Sequence, residues 1–479
     1  MKNIITFLLS LVAAFAAGAV TFSVDGINYN LLSSKDLTCE VIAGDYSGDI
    51  VIPATVSYGN KDITVLNIAD NAFYECAEMT SVKLPNTIRV IGKNAFYGCS
   101  GLTSLSIPGS VSQIKKGFAR CGIRELRFET LIPWETGWHS LEFGEATDGQ
   151  TERLKIFQSL NLEKLYIDRM IPTARTGSAY DHYSSIAAPF KYMNTIKEVE
   201  FGENCESGYF TGCKGLTTVK IPATGKFMIS DFAFLFCENL ESIEGLENVV
   251  HFGKDALPSM MLPDFEFNPA VEAIGTGSFA GTDIKRVVIP NTTVVIWDEA
   301  FLNCQQLVTV ELHTNNLKSG IFSGCENIKD LTFGAEVTTR YIPDALKGGT
   351  APKIKNLHIQ APVPPDCFGG FDDDTYVTTV LHVLPESLEA YKAANVWKDF
   401  WNIVGDEVAG TASVVMAKSD VAVNGHTIRM TAEDGNALFY VYDSVGMCVY
   451  AGGPSERILA TGVYLVVLPD GATRKLAVN

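Results

Sequence analysis

The side chains of this sequence best suited to hold a metal or act as nucleophiles are eleven cysteines and seven histidines, and their spacing decides what they can do. A zinc ribbon or a thioredoxin-type redox centre needs Cys-x-x-Cys, which occurs nowhere in the chain. His139, His182, His251, His313, His358, His382 and His426 are scattered, with no two near enough in sequence to suggest a metal pair. Gly-x-Ser-x-Gly, His-Glu-x-x-His and the P-loop are all missing. The stretch "GTGSFAG" at 275–281 has one residue too many for a dinucleotide fingerprint. Asp372, Asp373 and Asp374 read as a solvated loop rather than a calcium loop. The expectation is a protein that is not an enzyme and has no cofactor, no metal site and no catalytic residue.

The cysteines have an order of another kind. Cys76, Cys99, Cys121, Cys213, Cys237, Cys304 and Cys325 each stand three positions after a phenylalanine. A packing slot produces such placement, because cysteine behaves as a small buried hydrophobe. The seven are therefore read as a structural ladder of free thiols, since parallel inward-pointing side chains suit disulfide geometry poorly. Cys39, Cys205, Cys367 and Cys448 lie outside it and stay unassigned.

The elements that carry this slot repeat. "NAFYECAEMTSVKLP" at 71–85 is nearly duplicated by "NAFYGCSGLTSLSIP" at 94–108, and the repeat phenylalanine returns at Phe73, Phe96 and Phe118, then Phe210 and Phe234, then Phe279, Phe301 and Phe322. Intervals in the low twenties around an L-x-x-L-x-L core predict a β-rich leucine-rich-repeat superhelix of about 12–14 rungs. Its strand pieces run from "MTSVKL" at Met79 to "IKNLHI" at Ile354 and include "LPDFEF" at Leu262. Each unit has one apolar face and no core of its own, so only stacking keeps that face dry.

Strand phase then predicts which side chains face outward. The pairs flanking the second apolar position run from Ser81 and Lys83 to Asn356 and His358. Tyr166 is the single aromatic among them, so this face is no sugar-stacking platform, and its acidic centre from Glu198 to Glu266 would favour a basic protein segment. The period fails between Ile123 and Leu162 and between Leu162 and Ile196. Trp138, Leu141 and Phe143 keep the L-x-x-L-x-L spacing of an irregular rung, whereas "DRMIPTARTGSAYDHYSSIAAP" fits no slot and reads as a projecting loop. Irregular insertions at about 129–190 carry the candidate ligand-binding residues Trp134, Trp138, Arg175, Tyr180, His182 and Tyr183, joined by Tyr166 on the strand face.

The pattern "LTSVKLPNTIRVIGKNAFYGCSGLTSLSIP" closely resembles the BspA-type leucine-rich repeats of secreted and surface proteins. The resemblance covers the solenoid at 47–405. The segment at 20–46 resembles the N-terminal cap of that family, and "LPESLEAYKAANVWKDFWNIVG" resembles its short helical C-terminal cap, at about 387–401, with Trp397, Phe400 and Trp401 closing the last rung. What the resemblance implies is a surface interaction protein, adhesin-like, without naming a ligand.

The remaining features bound its location. Residues 1–19 read as a secretory signal peptide: Lys2, an apolar run too short to anchor a membrane, then Ala17, Gly18 and Ala19. No other segment is long and apolar enough to be a transmembrane segment. A formal net charge of −18 argues against nucleic acid as a partner, because a negative field repels phosphate. From 411 to 479, short alternating strands between Asp-Gly and Gly-Gly turns read as a small β-sandwich, which also resembles the sorting domain of type IX secretion cargo. The sequence thus predicts a secreted or cell-surface monomer that binds a protein or surface polymer. A glycan-binding surface protein is the alternative, and a hydrolase on a solenoid scaffold a third reading without a residue set.

Overall fold

A computed structural model describes residues 20–131, 141–144, 155–171, 174–175, 186–205, 207–223, 227–346 and 352–405, and the strands between 419 and 478. The chain forms two compact units, Met1–Gly405 and Asp406–Asn479.

The first unit is a β-solenoid of about fourteen turns. Strands Ser104–Ile107, Glu125–Phe128, Lys164–Ile167, Glu198–Phe201, Thr218–Lys220 and Ser242–Glu244 form one parallel sheet. A second parallel sheet holds Arg286–Ile289, Thr309–Leu312, Asp330–Phe333, Asn356–Ile359, Val380–Val383 and Asn402–Gly405. Pairing is in register, so Leu105 meets Leu126, then Leu165, then Val199, then Val219, and each apolar slot stacks on its own copy. Burial alternates accordingly: in Ser104–Ile107 Leu105 and Ile107 are buried while Ser104 is exposed. Further strands on the return side, among them Val90–Ile91, Gln113–Ile114, Val249–Phe252 and Ala273–Ile274, close the rungs.

Between the strand sets runs the phenylalanine stack. Ring centroids lie 5.3 Å apart for Phe73 and Phe96, 5.8 Å for Phe96 and Phe118, 5.4 Å for Phe301 and Phe279 and 5.5 Å for Phe301 and Phe322. Two residues after the repeat phenylalanine the backbone turns left-handed. Gly98 and Gly324 adopt φ of 76° and 73° there, and Arg120 and Phe236 adopt 60° and 62° at the same place. The turn imposes this conformation on whatever residue occupies the slot, at a cost of about 1–2 kcal/mol for a residue with a Cβ.

Several readings of the sequence need correction. Phe157 and Phe190 occupy the repeat slot, stacked at 5.6 Å, and Phe190 lies 6.0 Å from Phe210. The long intervals are therefore single rungs with insertions; the stretch at 168–189 read as a projecting loop, whose middle lies outside the described residues, is followed by the regular slot at Phe190. It also begins in the interior, where Asp168 and Arg169 are buried. Leu141 and Phe143 do not form an L-x-x-L-x-L rung: Glu142–Phe143 pairs with Gln113–Ile114 on the return side, while Glu125–Phe128 pairs directly with Lys164–Ile167. The "LPDFEF" piece is not a strand. Residues 262–265 fold into a turn in which the Phe265 N–H donates to the Leu262 carbonyl at 3.3 Å, with Pro263 and Asp264 at its centre. Proline suits the second position of such a turn, since its φ is already set. The outward sheet is split there into its two halves.

Both ends of the core are covered. At the start, the hairpin of Thr21–Val24 and Ile27–Ser33 turns through Asp25 and Gly26 at φ of 50° and 80°, the conformation a two-residue hairpin loop requires. At the end, the short helix Leu388–Ala393 brings in Tyr391, whose hydroxyl donates to the Ala361 carbonyl at 2.8 Å. Fully buried Trp397 donates its indole N–H to the Pro365 carbonyl at 2.8 Å, and Phe400 is buried beside it. Trp401, expected to close the last rung with them, is 78% exposed and lies just before the strand Asn402–Gly405, outside the core.

The second unit has two antiparallel sheets. Ser419–Asn424, Thr427–Ala432 and Ser455–Ile458 form one; Cys448–Gly452, Phe439–Tyr442, Gly462–Val467 and Thr473–Val478 form the other. Ile428, Met430, Val441 and Val466 are buried.

Candidate interaction surface

The ladder cysteines are free and point inward. Each thiol donates to a backbone carbonyl of the preceding rung, and in five of them the acceptor is the repeat phenylalanine. Cys99 reaches Phe73 at 3.0 Å, Cys213 reaches Phe190 at 3.0 Å, and Cys237 reaches Phe210 at 3.2 Å. Cys304 reaches Phe279 at 3.2 Å and Cys325 reaches Phe301 at 2.9 Å. Cys76 and Cys121 bond to Gly44 and Cys99 at 3.4 Å. Thr282 holds the slot in a rung without cysteine, and its hydroxyl donates to the Phe279 carbonyl at 2.9 Å. The slot asks for a small apolar side chain with one donor. Burial pushes the Cys121 thiol up to about 11 and that of Cys237 up to about 12, so neither is a ready thiolate. Of the unassigned cysteines, Cys39 and Cys205 are buried and Cys367 is partly so.

Chemistry directed at another molecule belongs to the outward strand face. On the first half, Lys164 and Lys220 approach Glu198 at 3.3 and 3.5 Å, and Lys197 and Arg124 approach Glu163 at 3.3 and 3.0 Å. The hydrogen bond from Lys164 holds Glu198 below the usual carboxylate range, and that from Lys197 does the same for Glu163. The face is therefore a ladder of alternating charge, and the bare acidic centre expected from the sequence is corrected to this extent. Tyr166 sits within the ladder, covered by the Arg127 guanidinium 4.0 Å from its ring centroid.

The second half carries histidines. His313 lies between Glu336 at 2.6 Å on Nδ1 and Glu311 at 2.8 Å on Nε2, and the bond to Glu311 is the largest cause raising its pKa above the ordinary value. His358 and His382 stand opposite one another on neighbouring strands with ring centroids 4.3 Å apart. Their separation of one repeat in sequence is the signal that a search for close histidine pairs overlooks. Among the described residues no three His, Cys, Asp or Glu side chains converge as a metal site, and no helix is long and apolar enough to cross a membrane. Asp372 instead caps a helix, its carboxylate accepting from the Thr375 N–H at 2.8 Å.

Of the other ligand-binding candidates, Trp134, Trp138, Tyr180, His182 and Tyr183 lie outside the described residues. Arg175 belongs to a two-residue strand paired with Ile186–Ala187.

Residues 64–133, 181–284 and 272–346 match the BspA type leucine rich repeat region in six copies. Those stretches of the solenoid are similar to BspA-type leucine-rich repeats. A leucine-rich repeat protein from Bacteroides ovatus is 18% identical, over 81% of this chain and 100% of that one, with a TM-score of 0.34. A leucine rich cell surface protein from Faecalibacterium prausnitzii is 19% identical, over 66% of this chain and 94% of its own, with a TM-score of 0.24. The pneumococcal vaccine antigen PcpA is 16% identical, over 81% and 99% of the two chains, with a TM-score of 0.30. No curated protein matches the chain by sequence.

Proposed function

We propose that this is an exported, non-enzymatic interaction protein that binds another protein, in the manner of an adhesin, through the outward strand face of its solenoid. The observation that carries the reading is the charge ladder of Lys164, Glu198 and Lys220. These side chains lie on the outward face, pair across successive rungs and stand outside the apolar core, so core packing does not account for their order. Rigid, patterned charge gives orientation and selectivity in association more than raw affinity. The insertion at 173–185 is a second contact in this reading.

Export rests on residues 1–19 and surface delivery on the unit after Asp406, read as a sorting domain. Deleting that unit should leave the solenoid folded and abolish surface display in a host with type IX secretion, read by protease accessibility on whole cells. Binding is tested by presenting the full chain to a panel of extracellular proteins and to a glycan array. The expected hit is a protein, weakened by Lys164→Glu together with Lys220→Glu and by replacing 173–185 with a Gly/Ser linker. Hits confined to glycans would favour the alternative. One observation gives that alternative a location: Tyr74 and Tyr97 stack with centroids 5.0 Å apart on the turn edge, and Tyr74 is exposed.

A further inference from the structure

The turn at 262–265 leaves a consequence on each side of it. In a parallel sheet, alternate residues of a strand bond to alternate neighbours. Lys285 and Ile289 give their carbonyls to the N–H groups of Val308 and His313 on the following strand, both at 2.9 Å. Arg286 and Val288 therefore turn their N–H and C=O groups back toward 262–267. Among the described residues no backbone hydrogen bond reaches either of them. In every other strand of this half, those groups face a paired neighbour.

Beside this edge lies an open cleft of about 300 Å³, lined by Phe265, Phe267, Pro269, Val288 and Pro290, with Glu266 and Arg286 at its sides. Phe265 and Val288 are half-buried, and the cleft faces outward with the exposed side chains of the sheet. Arg286 is already shared by Glu266 and Glu311, each at 3.8 Å, and Asp264 is exposed next to them. The local balance is acidic.

We propose that this seam is a strand-addition site, where an extended segment of a partner protein pairs with the backbone of Arg286 and Val288, seats one apolar side chain in the cleft and presents a basic side chain to Asp264 and Glu266. Three observations converge on that occupant. Unpaired donors and acceptors at a strand edge are what an added strand satisfies. Side chains of an extended segment alternate in direction, so one in two enters an apolar cleft beside the edge. The carboxylates at the rim select a basic neighbour over an acidic one. The site specifies the contact within the protein-binding reading above and rests on it.

The test uses the full chain and a short capped peptide in which threonine and leucine alternate between two terminal lysines. Calorimetry should show one-to-one binding, and amide exchange over 284–290 should slow when the peptide is present. Val288→Lys, which fills the cleft from an outward position, should weaken binding by about tenfold or more. N-methylation of the peptide backbone, which leaves the protein untouched, should do the same. Binding indifferent to both changes, or no binding at millimolar peptide, overturns the proposal. If a partner found in the extracellular panel binds Val288→Lys as well as the parent, strand addition is wrong and the protein-binding reading stands. If no protein partner exists but the peptide binds as described, that broader reading fails instead.

Discussion

Two rungs of the solenoid fill the same slots differently and end differently. The rung from Phe301 to Leu312 stacks its ring on Phe279 and Phe322, donates a thiol from Cys304, and enters the sheet as Thr309–Leu312. The rung from Leu257 to Phe267 has leucine in the ring slot and Met260 in the thiol slot, and Pro263 follows where the strand should start. Phe267, in the last apolar slot of the pattern, is still buried, its ring 5.1 Å from Phe279 and 6.1 Å from Phe301. The return side stays in register, since Val249–Phe252, Ala273–Ile274 and Val295–Ile296 pair normally. The core of a rung and its ladder of hydrogen bonds are thus separable: the last apolar slot stays buried, whereas a missing N–H and a preformed turn interrupt the ladder.

Breaking the regular rung should have the largest effect. Phe301→Ala removes a fully buried ring from the stack and should destabilise the solenoid by about 3–5 kcal/mol, measured by urea unfolding. Phe265→Ala, at the half-buried edge of the seam, should cost about 1 kcal/mol, for less area leaves water there. Equal losses would mean the seam is packed like any other rung.

The thiol slot gives the next effect. Cys325→Ala removes the thiol donor from the Phe301 carbonyl, which keeps the Cys304 N–H at 3.3 Å, and opens a small void, an expected loss of about 1–2 kcal/mol. Cys325→Thr, which returns a hydroxyl donor to the same slot, should recover part of it. Thermal unfolding of the two variants side by side distinguishes a donor requirement from simple packing.

Pro263→Thr sharpens the comparison from the other side. Restoring the N–H and weakening the turn should draw 264–267 into the ladder, slow amide exchange over 285–289 and add up to about 1 kcal/mol. Unchanged exchange would assign the split to the Leu257 slot rather than to the proline.

His313 offers a pH-dependent version. Its pKa is raised in the folded protein, so its contribution is fully present below about 6.5, the unfolded value, and fades as pH rises through the folded pKa. His313→Gln should flatten stability in that window, and an unchanged pH profile would remove the Glu311 and Glu336 contacts from the account. The smallest effect is expected at Glu198→Gln, at most about 1 kcal/mol and diminishing with salt, because exposed ion pairs are weak and screened.

Much of this was legible in the sequence, and the failures have physical reasons. The Phe, Cys and Leu slots could be read because stacking forces the same side chain to return at the same interval. Phe157 and Phe190 could not, since insertions of variable length hide the interval while the rung still closes on its neighbours. The split at 262–267 had a readable cause in Leu-Pro-Asp-Phe, a turn sequence, but an apolar pattern outweighed it. The two histidines of the stacked pair, His358 and His382, look remote until one repeat is counted as one strand spacing. Glu198 looks acidic along the chain and is neutralised only across it, by Lys164 and Lys220 from the flanking rungs.

By itself the sequence determined that the chain stacks into a β-solenoid with an inward ladder of phenylalanine and thiol, because periodic apolar side chains have no other place to be buried. Only the tertiary structure decided which charges are paired, where the outward sheet is interrupted and which backbone groups are left facing an open cleft. Those outcomes depend on neighbours a whole rung away, and a rung brings together residues that the chain separates by twenty or more positions.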